Sequence, residues 1–194
     1  MKSIVGFGAS SMQGVGDSQG GFFSRVARRN EGSGLVFHNL GIGGNTLAEM
    51  LERRHEVPSL NPAAIVVMLG CNDLPRVGDG TPERRSNVDE YTWRVDQLLA
   101  SLDAPQLFFI SSFAVSEELT GVSPAVFAEY MTVSLEAATR HGYDVWDFYG
   151  ETRDEAASLW AEDGLHVADD GHERIAQGLE TWIAKHFPAE TSSD

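Results

Sequence analysis

The chain has 194 residues, 42% of them apolar, and carries 29 acidic against 14 basic side chains, for a formal net charge of −15. This length predicts one domain over residues 1–187, and the charge argues against partners such as nucleic acid or an anionic membrane surface. No apolar run reaches the roughly 18 residues that a membrane-spanning helix needs. The start lacks a signal-peptide core and Cys71 is the only cysteine, which together predict a cytoplasmic location.

Short apolar runs along the chain have the composition of strands buried on both faces. They are rich in Val, Ile, Phe and Leu and are bounded by Gly, Pro or Asn. In chain order they cover residues 3–8, 35–41, 63–70, 106–113 and 144–149. Such runs are typical of parallel sheets, whose two faces are both covered.

Amphipathic segments alternate with these runs. The predicted helices cover residues 21–29, 46–54, 86–102, 124–141 and 169–187. Ser123 is the expected N-cap of the fourth helix, with Pro124 at its first position. The alternation predicts an α/β fold, a three-layer α/β/α sandwich around a five-stranded parallel sheet of flavodoxin-like architecture. The small polar tail, residues 188–194, is expected to be disordered.

Small and polar residues collect where the predicted strands end. They form four blocks at residues 6–14, 39–46, 70–73 and 160–166. In parallel α/β sheets the ligand site lies beyond the carboxyl ends of the strands. We therefore expect these blocks to meet at one edge of the sheet.

Nucleotide and metal sites fit these blocks poorly. The third glycine of a dinucleotide fingerprint starting at Gly6 would fall at Ser11, and the Gly-Lys-Ser/Thr of a phosphate-binding loop is absent. The histidines are scattered, without a His-Glu-x-x-His motif or a Cys/His cluster. The sequence therefore predicts neither a metal nor a cofactor.

The blocks contain the residue types of nucleophilic catalysis by serine. A serine reacts when a base takes its proton, and the base must be held in the right tautomer. Ser10 is the candidate nucleophile and His166 the candidate base, with Asp163 close enough in a turn to reach the imidazole. Backbone N–H groups of Ser10 and Gly44 and the amide of Asn72 are candidate oxyanion donors. Taken singly, each residue also fits a turn, a cap or surface chemistry.

In four ordered blocks the chain resembles the SGNH hydrolase superfamily, also called the GDSL-type esterases and lipases. Gly8-Ala9-Ser10 resembles the block that holds the nucleophile, and Asn39-x-Gly41-x-x-Gly44-x-Thr46 is similar to the second block. Gly70-x-Asn72-Asp73 matches the third, and Asp163-x-x-His166 matches the last. The resemblance spans nearly the whole chain.

The resemblance implies a serine esterase with a Ser10-His166-Asp163 triad, an acyl-enzyme intermediate and an oxyanion hole formed by Ser10, Gly44 and Asn72. Loops 74–85 and 114–123 are expected to line the pocket. Neither loop has the apolar stretch of a lipase lid, so we expect a small-molecule ester with a short or medium acyl chain on a small alcohol or sugar. An acyltransferase or a thioesterase would use the same site, and a catalytically silent binding module is the alternative from another class. The sequence does not predict an oligomeric state.

Two positions depart from the family's Gly-Asp-Ser-Leu motif. Ala9 replaces the acidic residue, which leaves open how the nucleophile loop is braced. Ser11 replaces the apolar residue and offers a second hydroxyl. The spacing from Gly8 favours Ser10 as the nucleophile.

Further side chains near the blocks allow two interpretations each. Arg76, Arg84 and Arg85 fit either recognition of an anionic group or solvent-facing positions. Trp160 fits either a wall of the acyl site or an ordinary core position.

Overall fold

The computed structural model describes residues 1–78 and 80–188. Within them the sheet contains β1 (Lys2–Gly8), β2 (Leu35–Gly41), β3 (Pro62–Met68), β4 (Gln106–Ile110) and β5 (Asp144–Trp146). The strands lie in the order β2-β1-β3-β4-β5, and every neighbouring pair is parallel. The predicted five-stranded parallel sheet is confirmed.

Helices flank the sheet on both faces. They are α1 (Ser10–Gln13), α2 (Gly21–Arg29), α3 (Leu47–Arg53), α4 (Val88–Ser101), α5 (Glu117–Thr120), α6 (Pro124–Arg140), α7 (Phe148–Thr152) and α8 (Asp169–His186). Helix α2 packs on α8, whereas α4 packs on both α3 and α6. Right-handed crossovers place these two groups on opposite faces, because the chain moves outward from β1 to β2 and then back past β1 to β3. None of the helices in this described part is long and apolar enough to cross a membrane.

The sequence prediction was wrong at the carboxyl ends of three strands. β3 ends at Met68, β4 at Ile110 and β5 at Trp146, rather than at residues 70, 113 and 149. After β5 the carboxylate of Asp147 accepts the N–H of Gly150 at 2.8 Å and starts α7. Apolar residues continue into these loops because the loops are buried too, so composition alone does not mark where a strand ends.

Side-chain caps set the starts of three helices. Ser123 accepts the N–H of Val126, as the sequence predicts. Thr46 and Asn87 cap α3 and α4, so these helices begin one and two residues later than the predicted starts at 46 and 86. A capping residue keeps extended backbone angles and lies outside the helix that it starts. Of the predicted disordered tail, residues 189–194 lie outside the described residues, so that expectation stays a prediction.

A buried ion pair joins the segment after α1 to α2, and its arginine also contacts α8. The side chains of Asp17 and Arg25 are 0% and 6% exposed, and Arg25 also contacts Glu173 at 2.8 Å. The hydrogen bond from Arg25 holds the pKa of Asp17 well below its usual range. Because a buried charge is costly without its partner, this pair fixes residues 14–20 against α2, and the contact of Arg25 with Glu173 extends the network to α8.

Candidate active site

Ser10 is the first residue of α1, directly after β1. The N–H of Gln13 bonds the carbonyl of Ala9 at 3.0 Å and closes a single helical turn. Ser10 is partly exposed at this position, whereas the neighbouring Ser11 is only 5% exposed. The turn therefore leaves the side chain of Ser10 more accessible to solvent than that of Ser11.

The buried guanidinium of Arg53 braces the loop that contains Ser10, in which position 9 is an alanine. Nη2 donates to the carbonyls of Gly8 at 3.1 Å and Leu40 at 2.6 Å, and Nε donates to Asn45 Oδ1 at 2.7 Å. The guanidinium also lies over the ring of Phe7, 4.6 Å from its centroid. Arg53 thus ties the ends of β1 and β2 together. The sequence reasoning missed it, because one arginine in an amphipathic helix carries no motif.

The turn after β2 brings Gly43 and Gly44 beside α1. The N–H of Gly43 donates to Gln13 Oε1 at 2.6 Å. A Cβ added at Gly43 would lie 3.9 Å from the Cβ of Ser10. Gly44 has a φ of +78° with open space where a Cβ would be, so its backbone conformation rather than crowding favours glycine.

Asn72 lies beside the same two blocks. Its Nδ2 donates to the carbonyl of Asn45 at 2.9 Å. A Cβ added at Gly70 would lie 3.1 Å from the Cβ of Ala9 and 3.3 Å from Asn72 Nδ2. A side-chain amide carries two N–H groups, and among residues 1–78 and 80–188 only the bond to Asn45 uses one of them.

Asp163 and His166 form a hydrogen-bonded pair within one turn. Asp163 Oδ2 lies 2.6 Å from His166 Nδ1, and Oδ1 accepts the N–H groups of Leu165 and His166, each at 2.9 Å. Burial raises the pKa of Asp163, but the hydrogen bonds from His166 and Leu165 outweigh it and leave the pKa below 3.8. An ionised Asp163 favours the tautomer with the proton on Nδ1, which leaves Nε2 as the basic nitrogen.

The segment that follows Ser10 packs against His166. A Cβ added at Gly16 would lie 3.1 Å from the Cβ of His166 and 2.3 Å from the carbonyl of Val167. Buried His172 holds the same segment, because its Nε2 lies 3.2 Å from the carbonyl of Val15. The structure thus connects the four sequence blocks. The described side chains of Ser10 and His166 make no hydrogen bond to each other in this conformation.

The three arginines of residues 74–85 support the backbone of the blocks. Arg84 donates to the carbonyl of Gly44 at 2.9 Å, Arg85 to that of Asn72, and Arg76 to that of Cys71 at 3.3 Å. Neither sequence interpretation included these contacts, because the carbonyls involved are brought near only by the folding of the loop. Trp160 is half-buried, and its Nε1 donates to the carbonyl of Ala114 at 2.6 Å.

A cavity of about 580 Å³ opens between the loop after β3 and α5. Residues 76–78, 80 and 85 line one side, and residues 117–121 line the other. Leu119 in this lining would touch a Cβ added at Gly164, within the Asp163–His166 turn. None of the candidate triad or oxyanion residues lines this cavity. Within the described ranges, no group of three His, Cys, Asp or Glu side chains could hold a metal ion.

Asp73 is a buried carboxylate behind the candidate oxyanion groups. It accepts the N–H of Leu47 at the start of α3 at 2.9 Å and the hydroxyl of Ser86 at 3.3 Å. Burial raises its pKa from 3.8 to about 6, although the Leu47 N–H and the charge of Arg94 oppose this rise. The folded state therefore keeps the Asp73 carboxyl protonated over a pH range in which the unfolded chain ionises it.

Because of the Asp73 carboxyl, we expect the free energy of unfolding to fall as pH rises from about 4 to about 6. The shift from 3.8 to about 6 corresponds to roughly 3 kcal/mol across that window. Urea unfolding of wild type and Asp73→Asn at several pH values measures this pH dependence. The stability of wild type should decline relative to the variant over this range, and parallel curves would contradict the assignment.

A model of the GDSL-like lipase/acylhydrolase family matches residues 6–174, from within β1 into α8. The chain belongs to this family. It is accordingly a serine ester hydrolase. No curated protein sequence matches it.

Solved structures similar to this hydrolase include a lipase/acylhydrolase from Enterococcus faecalis, at 20% identity and a TM-score of 0.83, covering 99% of this chain and 100% of the other. Axe2, an acetylxylan esterase from Geobacillus stearothermophilus, matches at 20% identity and a TM-score of 0.74, covering 100% and 97%. Two further Axe2 structures are of catalytic mutants, one with a serine and one with a histidine replaced by alanine. At this identity the similarity shows the fold alone.

Proposed function

We propose that this hydrolase cleaves carboxylic esters with a short or medium acyl chain on a small alcohol or sugar, with Ser10 as nucleophile. The observation that carries the proposal is the 2.6 Å hydrogen bond between Asp163 and His166. It lies on a turn that packs against the segment following Ser10. The serine and histidine named in the catalytic mutants of Axe2 support the same pair of residue types.

In the first half of the reaction Ser10 Oγ attacks the ester carbonyl while His166 Nε2 takes the hydroxyl proton. Asp163 holds the Nδ1 proton and stabilises the imidazolium that forms. His166 then gives its proton to the leaving alcohol, and an acyl-enzyme remains on Ser10. Water repeats these steps to release the acid. The Ser10–His166 hydrogen bond forms as the substrate binds, since such bonds often tighten only in the substrate complex.

Three neutral donors stabilise the tetrahedral oxyanion. They are the backbone N–H groups of Ser10 and Gly44 and the side-chain amide of Asn72. The second N–H of Asn72 suits this role, because the first already fixes the amide on Asn45. Fixed donors of this kind stabilise the transition state without reorganising during the reaction.

Burial supports Ser10 over Ser11 as the nucleophile. Ser11 is 5% exposed and belongs to the buried side of α1, whereas Ser10 is partly exposed at its start. A nucleophile must meet a substrate that arrives from solvent. The buried hydroxyl would need the helix turn to open first.

The cavity beside the Asp163–His166 turn supports a small, hydrophilic substrate. Its lining includes Arg76, Glu117, Glu118 and Thr120, which suit a hydroxylated alcohol better than a long alkyl chain. The named substrate of Axe2, acetylxylan, fits the same class. We assign the cavity to the alcohol part of the ester.

A substrate panel tests this proposal. p-Nitrophenyl esters of acetate, butyrate, octanoate and dodecanoate report the acyl preference, and acetate release from acetylated xylose reports the alcohol preference. We expect kcat/KM to fall by at least about tenfold from butyrate to dodecanoate, because a site for a short acyl chain cannot accommodate the added methylenes, and one methylene alone can change kcat/KM by about tenfold or more. A preference for dodecanoate, or faster acyl-CoA turnover or transfer to added alcohol than hydrolysis, would contradict it.

A further inference from the structure

The peptide between Gly43 and Gly44, which carries the candidate oxyanion N–H of Gly44, is held by a side chain on each side. The preceding peptide is fixed by the hydrogen bond from Gly43 N to Gln13 Oε1 at 2.6 Å. The following peptide is fixed by the hydrogen bond from Arg84 Nη2 to the Gly44 carbonyl at 2.9 Å. The Gly43–Gly44 peptide is thus bracketed by two contacts from outside its own turn.

Two successive glycines need such support more than other residues would. Glycine has the widest range of backbone angles, so an unsupported Gly-Gly turn samples many orientations of the peptide between them. The space beside Gly44 is open, so packing does not restrict it there. The N–H of Asn45 closes this turn on the carbonyl of Ile42 at 3.2 Å. The hydrogen bonds from Gln13 and Arg84 add two supports from outside the turn for an N–H that must point at a developing oxyanion.

Each supporting side chain is itself fixed to a functional element. Gln13 is the last residue of α1, the turn that begins with Ser10. Arg84 pairs with Glu49 at 3.2 Å, and Glu49 accepts the N–H of Thr46 at 2.7 Å in the capping box of α3. The backbone bond from Thr46 is the main cause that lowers the pKa of Glu49, so its carboxylate stays charged toward Arg84.

We propose that Gln13 and Arg84 are positioning residues that orient the Gly44 N–H toward the oxyanion. This inference rests on the proposed function, because it assigns a task to the oxyanion donor named there. Gln13 couples the donor to the nucleophile turn, and Arg84 couples it to the start of α3. Neither residue touches the reacting atoms.

Exposure separates this role from a structural one. The side chains of Arg84 and Glu49 are 45% and 44% exposed, and ion pairs at such positions add little to stability. Loss of the Arg84 side chain should therefore slow the chemical step without unfolding the protein. Because a misaligned donor still gives partial stabilisation, the effect should be smaller than the 10²–10³-fold typical of losing a donor outright.

The test compares wild type with Arg84→Met, Arg84→Lys and Gln13→Leu, using p-nitrophenyl acetate. Fluorophosphonate titration counts reactive sites, so kcat is expressed per folded, reactive enzyme. We expect kcat to fall about tenfold in Arg84→Met and in Gln13→Leu with KM changed less than twofold, and Arg84→Lys to recover part of the loss. Phenylboronic acid forms a tetrahedral adduct with serine. Its inhibition constant should rise by about the same factor by which kcat falls.

Arg140→Met is the matched control, because Arg140 also pairs with one carboxylate, Asp96, at 3.1 Å and is 53% exposed. It should leave kcat and boronate inhibition unchanged. Wild-type kcat in Arg84→Met and Gln13→Leu, or equal losses in Arg140→Met, would overturn the positioning role. If the positioning role fails in this way, Ser10→Ala in the same assay shows how far the failure extends. An inactive Ser10→Ala means that only the positioning role is wrong, whereas an active Ser10→Ala contradicts the proposed function as well.

Discussion

Replacing Ser10 with alanine is expected to lower kcat for p-nitrophenyl acetate by about 10⁴-fold or more. The variant keeps the candidate oxyanion donors and the Asp163–His166 pair but has no hydroxyl at position 10 to which the acyl group can be transferred. Enzymes that lose a triad member retain only the catalysis supplied by binding and the oxyanion hole. Steady-state hydrolysis and fluorophosphonate labelling measure the loss, and both should fall together.

Ser11→Ala is the matched control for this experiment. It removes the same hydroxyl from the next residue, which is buried within α1. Labelling and turnover should stay close to wild type. Activity retained in Ser10→Ala but lost in folded Ser11→Ala would transfer the nucleophile to the second serine and reject the assignment.

Asn72→Ala is expected to lower kcat by roughly 10²–10³-fold with a smaller change in KM. As a candidate oxyanion donor, the amide is expected to stabilise the charged tetrahedral state more than the neutral ester, so its loss should affect mainly the chemical step. Residual activity should be measurable, because the N–H groups of Ser10 and Gly44 remain. Initial rates over a range of substrate concentrations separate kcat from KM.

Asn30→Ala serves as the control asparagine. Its Nδ2 also makes one backbone bond, to the carbonyl of Val26 at 2.9 Å, at the end of α2. This end of α2 lies at the amino edge of the parallel sheet, away from the candidate site. The kcat of Asn30→Ala should match that of wild type. A wild-type kcat in Asn72→Ala would contradict the assignment of Asn72 to the oxyanion hole.

The fold could be predicted because its signal is local and repeated. Apolar runs such as residues 35–41 are too short for helices and alternate with segments of helical periodicity, which together specify a parallel sheet. The ends of elements were less predictable. Phe148 and Tyr149 extend the predicted strand, yet the carboxylate of Asp147 caps α7, which begins at Phe148. Such boundaries depend on single hydrogen bonds that composition does not encode.

The candidate site was predictable where its parts follow strands in a fixed order. Ser10, Gly44 and Asn72 come after β1, β2 and β3, and parallel topology brings these strand ends to one edge. Asp163 and His166 are three residues apart, so a turn is enough to join them. Neither inference required knowledge of long-range side-chain contacts.

The sequence by itself determined the sheet, the order of the polar blocks and the local carboxylate–imidazole pair, because each depends on short-range pattern and strand direction. Only the tertiary structure decided how the blocks are held. Arg53 joins the ends of β1 and β2, Arg84 supports the turn at Gly44, and the Asp17–Arg25 pair fixes the segment beside His166. These side chains bond partners distant in sequence, and a guanidinium reaches any carbonyl or carboxylate that folding places within its range. The identity of such partners is a property of the packed chain.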